Sequence, residues 1–187
     1  MSDTRVKIEG LQAFTMKMAS LPEAIRKGVL RKLMREAMQV VRDDARSKVP
    51  VLTRPVLSGS GAPRRLPGTV RKAISVRTSK VEAKAGNVGV FVNVRPLPGN
   101  VYRKAGAARV LVKKSSRGAD NPRDPYYWRW IEFGTKVRKT RKGKLLGAVG
   151  AYRFLQGAAD KIKAAADKLQ AGMRAWAQET NQTGRIK

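Results

Sequence analysis

The densest run of large side chains in the chain is YYWRWIEFGT, residues 126–135. Tyr126 and Trp130 lie four positions apart, and Tyr127 and Ile131 repeat that spacing, so one or two helical turns would bring each pair onto neighbouring faces. Aromatic side chains bury large areas, which favours an anchor in the core. The alternative is an exposed platform on which nucleic-acid bases stack between the neighbouring arginines. We expect the core to form around this segment.

Two helices are predicted between this run and the N-terminus. The first covers residues 9–20, and the second runs on to Pro50, with Ser20 as its N-cap and Pro22 in its first turn. One apolar stripe follows the second helix and consists of Leu30, Leu33, Met34, Ala37, Val41 and Ala45. This stripe predicts a core helix with a basic outer face.

The remaining regular elements are two strands and a C-terminal helix. Alternating apolar residues predict strands over 70–76 and 88–94, joined as an antiparallel pair by a turn at 85–87. A helix is predicted over 152–179, and residues 181–187 are expected to fray. Its apolar positions recur with a period near 3.6: Phe154, Leu155, Ala158, Ile162, Ala165, Leu169, Met173 and Trp176. The predicted fold is α+β, a small antiparallel sheet packed against a long N-terminal and a long C-terminal helix, with extended arms.

Two arms and a basic loop interrupt the regular elements. Proline and glycine dominate residues 50–68 and open a second excursion at about 99–124, within which residues 110–112 predict a short strand. Residues 136–144 form a basic loop that contains glycine. Long loops in compact domains are uncommon unless they are functional or disordered, so we expect the arms to order against a partner. The length fits a single domain over residues 1–187.

The charge of the chain is strongly unbalanced. The 187 residues contain 41 Lys and Arg but 13 Asp and Glu, a formal charge of +28. Residues 99–145 are the most basic part, with 14 of the cations and three of the acids. Like charge repels itself in a compact chain, whereas solubility needs a net charge of only about 2 to 8. The excess therefore favours a polyanion or an acidic protein surface as partner.

Missing residue types exclude most catalytic and metal chemistry. The chain has no Cys and no His, so thiolate nucleophiles, imidazole bases and the commonest zinc ligands are absent. The acidic candidates are Asp43 with Asp44, Asp120 with Asp124, and Glu132, and none has the arrangement of a catalytic pair. We expect no enzyme activity, no cofactor and no metal. No secretory signal or long apolar run is present, which predicts a soluble protein made in the cytoplasm.

Several segments resemble one family of tailed-phage proteins, the lambdoid gene-product-ten-like tail completion proteins. The central match is the family's Phe-Val-Glu-Phe-Gly-Thr signature, which corresponds here to Trp130, Ile131, Glu132, Phe133, Gly134 and Thr135. Phe154 and Leu155 resemble the start of the family's last helix, and Val70 to Ile74 resembles a family strand start. The resemblance extends over about residues 9–178.

This resemblance implies a structural virion protein of a long-tailed bacteriophage. It would complete the head-proximal end of the tail and join it to the head connector around the DNA channel. The implied partners are further copies in a six-fold ring, a tail terminator or tail tube protein, and a head–tail connector or stopper protein. Location in the neck of the virion follows, with host cytoplasm during assembly and no membrane. Glu132 would pair with Arg129 or with an arginine of a neighbouring subunit, or be an ordinary surface acid.

The basic loops supply the residues expected to contact acidic subunits or, without reading sequence, the channel DNA. They are Arg64, Arg65, Arg103, Lys104, Arg109, Lys113, Lys114, Arg117, Lys136, Arg138, Lys139, Arg141, Lys142 and Lys144. The alternative function is a free-standing basic nucleic-acid-binding protein of the ribosomal or nucleoid type, in which charge and stacking would provide the binding.

Overall fold

The structure is a computed structural model that describes residues 12–61, 63–96, 101–105, 108–113, 118, 121–139, 143 and 145–183. Residues 101–105 and 108–113 are described by their backbone alone. The chain divides into two compact units. The helical unit comprises Met1–Asp44, Val76–Val92 and Ala158–Lys187, and the motif unit comprises Ala45–Ser75 and Asn93–Gly157. The single domain proposed from the sequence stays a prediction.

The elements confirm the α+β class. The helices are α1 (Gln12–Ala19), α2 (Glu23–Ala37), α3 (Gln39–Lys48), α4 (Thr69–Ala73), α5 (Lys80–Lys84), α6 (Trp128–Phe133), α7 (Phe154–Ala158) and α8 (Ile162–Thr183). The strands are β1 (Val56–Leu57), β2 (Pro63–Arg65), β3 (Ile74–Thr78), β4 (Val90–Val94), β5 (Val101–Ala105), β6 (Ala108–Lys113), β7 (Arg138–Lys139) and β8 (Leu145–Gly147). Among the described residues no helix has both the length and the apolar character needed to cross a membrane.

The helical unit is held together by apolar side chains from α1, α2 and α8. Phe14, Met18, Val29 and Met173 form its buried cluster, and Trp176 packs against it. The Phe14 and Trp176 rings pack edge to face, with their centroids 5.6 Å apart. Met173 and Trp176 belong to the stripe predicted for the C-terminal helix, and Val29 lies beside the stripe predicted for the second helix, because residues three or four apart share one face of a helix.

Three details of the predicted helices are wrong. The long N-terminal helix is interrupted at Met38, although hydrogen bonds from Met38 N–H to Met34 O and from Arg42 N–H to Met38 O bridge the break. Ser20 does not cap α2, because its hydroxyl donates to Lys17 O at 2.7 Å and so closes α1. Pro22 takes the N-cap position instead.

The C-terminal helix also differs from its prediction in two places. It begins as α7, passes through a 3-10 turn at Ala159–Lys161 and continues as α8. The predicted apolar positions are buried or half-buried throughout, so the periodicity is confirmed. The predicted fraying is wrong for residues 181–183, which extend α8, whereas residues 184–187 lie outside the described residues.

The described strands form four two-stranded pairs rather than one small sheet. The pairs β1–β2, β5–β6 and β7–β8 are antiparallel. For β3–β4, hydrogen bonds join Ser79 N–H to Gly89 O at one end and Arg95 N–H to Ala73 O at the other, the pattern of an antiparallel pair. Regular structure therefore reaches into the arm at 50–68 and the basic loop at 136–144, where loop was predicted.

The predicted strand start at Val70 is wrong. Gly68, with φ +70°, leads instead into α4, where Thr69 and Val70 are buried, and the strand begins at Ile74. The predicted connection between the two strands is also longer than a turn. It contains α5, which the Ser79 hydroxyl caps by accepting the Glu82 N–H at 3.2 Å.

The core of the motif unit is assembled from short elements. Phe154, Ile74, Val94 and Pro125 are its largest fully buried side chains. The last turn of α3 adds two hydrogen bonds to backbone oxygens. Arg46 donates to Ile74 O at 2.9 Å, and Lys48 donates to Gly157 O at 2.8 Å. Arg46, which was predicted to lie on the basic outer face of the helix, thus binds a backbone oxygen.

Candidate functional site

The carboxylate of Glu132, in the last turn of α6, forms hydrogen bonds with the first turn of α7. The Glu132 side chain is 2% exposed, and its two carboxylate oxygens accept the N–H groups of Leu155 at 2.9 Å and Gln156 at 3.0 Å. The first N–H groups of a helix lack partners within the helix and carry a partial positive charge, which a carboxylate satisfies. Glu132 therefore acts as a cap supplied from 22 or more residues earlier in the chain.

Two of the three roles suggested for Glu132 from the sequence, a surface acid and a partner of Arg129, are wrong. It is not a surface acid, because it is buried. Its carboxylate is bonded to backbone N–H groups, while the Arg129 guanidinium lies over the Trp128 ring at 5.5 Å. Pairing of Glu132 with an arginine of a neighbouring subunit stays a prediction. The acid of the signature is a structural residue.

Backbone hydrogen bonds also connect α6 with the residues that precede α7. Tyr152 N–H donates to Ile131 O at 2.9 Å, and Arg153 N–H donates to Glu132 O at 3.1 Å. Arg153 has φ +47°, a left-handed conformation that is rare for residues other than glycine. We call this arrangement, residues 131–135 bonded to 149–156, the motif joint.

Gly134 and Thr135 complete the motif joint. Gly134 has φ +73° and ψ −179°, and a Cβ there would lie 2.9 Å from Val149 O and 3.1 Å from Ala151 N. Thr135 N–H donates to Val149 O at 2.9 Å, and the Thr135 hydroxyl accepts the Val149 N–H at 3.0 Å. Glycine is required here by conformation and by the close approach of two backbones.

A basic and aromatic pocket opens beside α6. The Arg138 guanidinium carbon lies 5.0 Å from the Trp130 ring centroid, and that of Arg65 lies 6.0 Å from Trp130 and 5.0 Å from Tyr127. The Tyr126 and Trp130 rings meet edge to face at 5.8 Å, as their spacing predicts. The cavity has a volume of about 320 Å³, and Val51 and Leu52 form part of its wall. We call it the cation pocket.

The Tyr127 phenol is the group of the cation pocket with a resolved electrostatic shift. Burial raises the pKa of Tyr127, because the charged phenolate would lose its hydration, and this outweighs the opposing influence of a hydrogen bond with Thr69 and of the Arg65 charge. Tyr127 is 6% exposed, which confirms a core position for this aromatic side chain. At neutral pH it stays an uncharged hydrogen-bonding group.

The aromatic run is only partly core. Phe133, the last residue of α6, is 70% exposed. It belongs to a larger set of exposed large apolar residues in the described part of the motif unit: Val51, Leu52, Val56, Leu57, Phe133, Val137, Leu145 and Tyr152. The described part of the helical unit has a smaller set: Met16, Ile25, Val81 and Phe91. Exposed apolar side chains are therefore concentrated in the motif unit.

The predicted contact residues fall into three groups. Arg65 and Arg138 line the cation pocket. Arg64, Lys136 and Lys139 are exposed and lie within two residues of Arg65 or Arg138 in the sequence. Four lie on the β5–β6 hairpin, where Lys104 is opposite Arg109: Arg103, Lys104, Arg109 and Lys113. Five lie outside the described residues: Lys114, Arg117, Arg141, Lys142 and Lys144.

The cation pocket itself was not predicted from the sequence. The hairpin β1–β2 supplies Arg65, α6 supplies Trp130 and β7 supplies Arg138. The interleaved arginines and aromatics gave the available signal, but it did not indicate which arginine meets which ring. Among the described residues no group of three or more metal-ligating side chains is present.

Comparison with known proteins identifies a family match. Residues 12–134 match the model of the HK97-gp10-like family, described as "Bacteriophage HK97-gp10, putative tail-component". The matched segment is 123 of the 187 residues and includes α1 to α6 up to Gly134. Neither the curated proteins nor the solved structures contain a match.

Proposed function

Because this chain belongs to the HK97-gp10-like family of phage tail components, we propose that it completes the head-proximal end of a long tail and joins that tail to the head connector. As a tail component it is a structural protein of the virion. Its proposed neighbours are further copies in a six-fold ring, a tail terminator or tail tube protein, and a connector or stopper protein, all arranged around the DNA channel.

The observation that carries this proposal is the exposed apolar surface of the motif unit. Phe133 at 70%, Val137 at 62% and Leu145 at 61% exposed are side chains that a lone chain leaves in water. Large apolar groups gain free energy when a partner covers them, and their concentration marks interaction sites. An assembly subunit with several neighbours is expected to expose such groups before it is incorporated.

The hairpins of the two arms are the proposed contacts with adjacent subunits. The arm at 50–68 contains β1–β2, which exposes Val56 and Leu57, and the arm at 99–124 contains β5–β6. A short isolated hairpin is only marginally stable by itself, so packing against a neighbour would stabilise it. Repulsion within a chain of charge +28 would likewise be reduced by acidic neighbours or by DNA in the channel.

A phage that lacks this gene tests the proposal. We expect filled heads and complete tails to accumulate unjoined, and addition of the purified protein to restore joined particles in an extract. Electron microscopy and plaque counts measure the result. Joined, infectious particles from the deleted phage would contradict the proposal.

Contact with channel DNA is the second candidate function, and the opposed Lys104 and Arg109 on β5–β6 favour it. Engagement of about five phosphates predicts a slope near −4 to −5 when the logarithm of the binding constant is plotted against that of salt concentration. Filter binding to duplexes of unrelated sequence measures this slope. A binding constant that does not change with salt concentration would contradict contact with phosphates. A protein that binds DNA but is absent from virions would support the free-standing nucleic-acid-binding alternative.

A further inference from the structure

We propose that the cation pocket binds an acidic segment of a neighbouring virion protein. A carboxylate of that segment would lie between Arg65 and Arg138, and an adjacent apolar side chain would pack against Val51 and Leu52. This inference rests on the proposed function, since it specifies the chemistry of one partner in the assembled neck. The partner is identified by its chemistry, a surface segment with Asp or Glu beside an apolar residue.

Unpaired positive charge is the first argument. Arg65 and Arg138 have no acidic partner among the described residues, and no Asp or Glu lines the cation pocket. The Nε–H of Arg138 is buried, and no described residue supplies a hydrogen-bond acceptor for it. A buried donor left unpaired is costly, so an incoming acceptor would recover that free energy.

The position of the two guanidinium groups is the second argument. Both lie over Trp130, with Arg138 at 5.0 Å and Arg65 at 6.0 Å from the ring centroid. A guanidinium that contacts an aromatic face keeps its N–H groups at its edge, where they match the two oxygens of a carboxylate. Contact with the ring also limits side-chain motion before binding, which lowers the entropic cost of association.

The apolar wall decides between a protein segment and DNA. Val51 and Leu52 are 44% and 37% exposed, and they line the same cavity as the two arginines. A phosphodiester backbone presents phosphates and deoxyribose rings but no large apolar side chain to such a wall, whereas a peptide brings a carboxylate and an apolar side chain together. The volume of about 320 Å³ is at the low end of ligand pockets and suits a few side chains.

Charge balance indicates that the segment belongs to another protein. This chain has 13 acidic residues against 41 basic ones, so a second copy offers few carboxylates and strong net repulsion. Glu132, which lies in the apolar motif, is already bonded to backbone N–H groups. An acidic neighbour in the neck is complementary to the pocket in charge and in apolar character.

Photo-cross-linking in assembled particles tests the inference. A photoreactive amino acid replaces Leu52, and cross-linked peptides from purified virions are identified by mass spectrometry. We expect one peptide from a different virion protein, containing Asp or Glu next to an apolar residue. The double variant Arg65→Gln, Arg138→Gln should lower the cross-link yield at least about tenfold, because hydrogen bonds to a charged group are lost.

A matched control removes the same charge elsewhere in the motif unit. Arg95 and Arg123 are exposed and line a different cavity, so Arg95→Gln with Arg123→Gln should leave the yield within about twofold. The milder Arg138→Lys keeps the charge and loses the planar edge, and it should give an intermediate yield. Thermal unfolding of each variant shows whether it remains folded, and the yield is scored only for folded variants incorporated into particles.

The outcomes separate this inference from the proposed function. Joined particles that contain the protein but cross-link to DNA, to a second copy or to a segment without carboxylates would overturn the inference and leave the function standing. So would a yield that is equal in the pocket variant and the control variant. Absence of the wild-type protein from virions would overturn both.

Discussion

The two units of the chain are stabilised in different ways. In the helical unit, α1, α2 and α8 bury the apolar cluster of Phe14, Met18, Val29 and Met173. In the motif unit, short elements are tied by polar side chains to distant backbone, as Glu132 is to Leu155 and Gln156. The first unit is stabilised mainly by apolar contacts, whereas the second combines an apolar core around Phe154, Ile74 and Val94 with buried polar bonds between distant segments.

This difference matches where the exposed apolar residues lie. Long helices can turn most of their apolar side chains inward because the stripe repeats with the helix. The hairpins and loops of the motif unit leave Phe133, Leu57 and Leu145 exposed, and these are the groups proposed to meet neighbouring subunits. A unit that adds buried polar bonds to its apolar core can thus keep other apolar side chains exposed for assembly. Substitutions in each unit test this comparison.

The largest effect is expected from Glu132→Ala. Two charge-assisted hydrogen bonds to Leu155 and Gln156 are lost, and the first N–H groups of α7 are left without a partner in a partly buried position. We expect the free energy of unfolding to fall by about 3 to 4 kcal/mol, as measured by urea titration.

The matched control for Glu132 lies in the helical unit. Glu36 is exposed on α2, and Glu36→Ala should change the free energy of unfolding by less than about 0.5 kcal/mol. Equal effects of the two substitutions would show that the motif joint does not depend on the Glu132 carboxylate.

The next effect compares two glycines. Gly134→Ala forces a side chain into a backbone conformation that favours glycine, 2.9 Å from Val149 O, and should cost about 2 to 3 kcal/mol. Gly28→Ala lies within α2 with no other atom within 4 Å of the new Cβ, and should stabilise by about 0.5 to 1 kcal/mol. Opposite signs in thermal unfolding are the expected result. Destabilisation by both substitutions would contradict this account of Gly28, and tolerance of Gly134→Ala would contradict the close approach at Val149.

The same contrast explains how much of the fold could be predicted from the sequence. The stripes of α2 and α8 are visible as periodic apolar residues, so both helices could be predicted. The helical turn at α6 could be predicted from the four-residue spacing of its aromatic side chains. Their ends were less certain, because Ser20 could close α1 or cap α2, and only the structure shows that its hydroxyl donates to Lys17 O. Strand pairing at 74–78 and 90–94 was found, but the helix between them was not.

The candidate site was less predictable because its contacts join distant parts of the chain. A carboxylate that caps a helix 22 residues later leaves no periodic pattern, so the family signature marked Glu132 without explaining it. The cation pocket needs both Arg65 and Arg138 near Trp130, an arrangement set by the path of two short hairpins. Proline and glycine in those segments indicated loops, although a few paired residues suffice to form each hairpin.

A smaller effect, dependent on pH, is expected at Tyr127 in the motif unit. Burial raises its pKa in the folded state, so above about pH 10 the unfolded chain ionises this phenol while the folded chain does not. The folded state then binds more protons than the unfolded state, and stability falls as pH rises, by at most about 1.4 kcal/mol per pH unit from this group. Tyr127→Phe should remove that part of the slope. Tyr152→Phe, at an exposed position, should retain it. Identical slopes for the two variants would contradict a buried Tyr127.

The smallest effect is expected in the helical unit, at the Glu23 and Lys27 pair of α2. The hydrogen bond from Lys27, followed by its charge, lowers the pKa of Glu23, which lies in the first turn of the helix. A lowered pKa in the folded state means that the unfolded chain takes up a proton first as pH falls. The stabilisation is therefore present at neutral pH and lost in the acid range. Glu23→Gln should lower stability slightly at pH 7 and leave it unchanged near pH 2, and 1 M salt should shrink the difference because exposed pairs are screened. A larger loss than that of Glu132→Ala would reverse the comparison, since it would place a decisive polar bond on the surface of the helical unit.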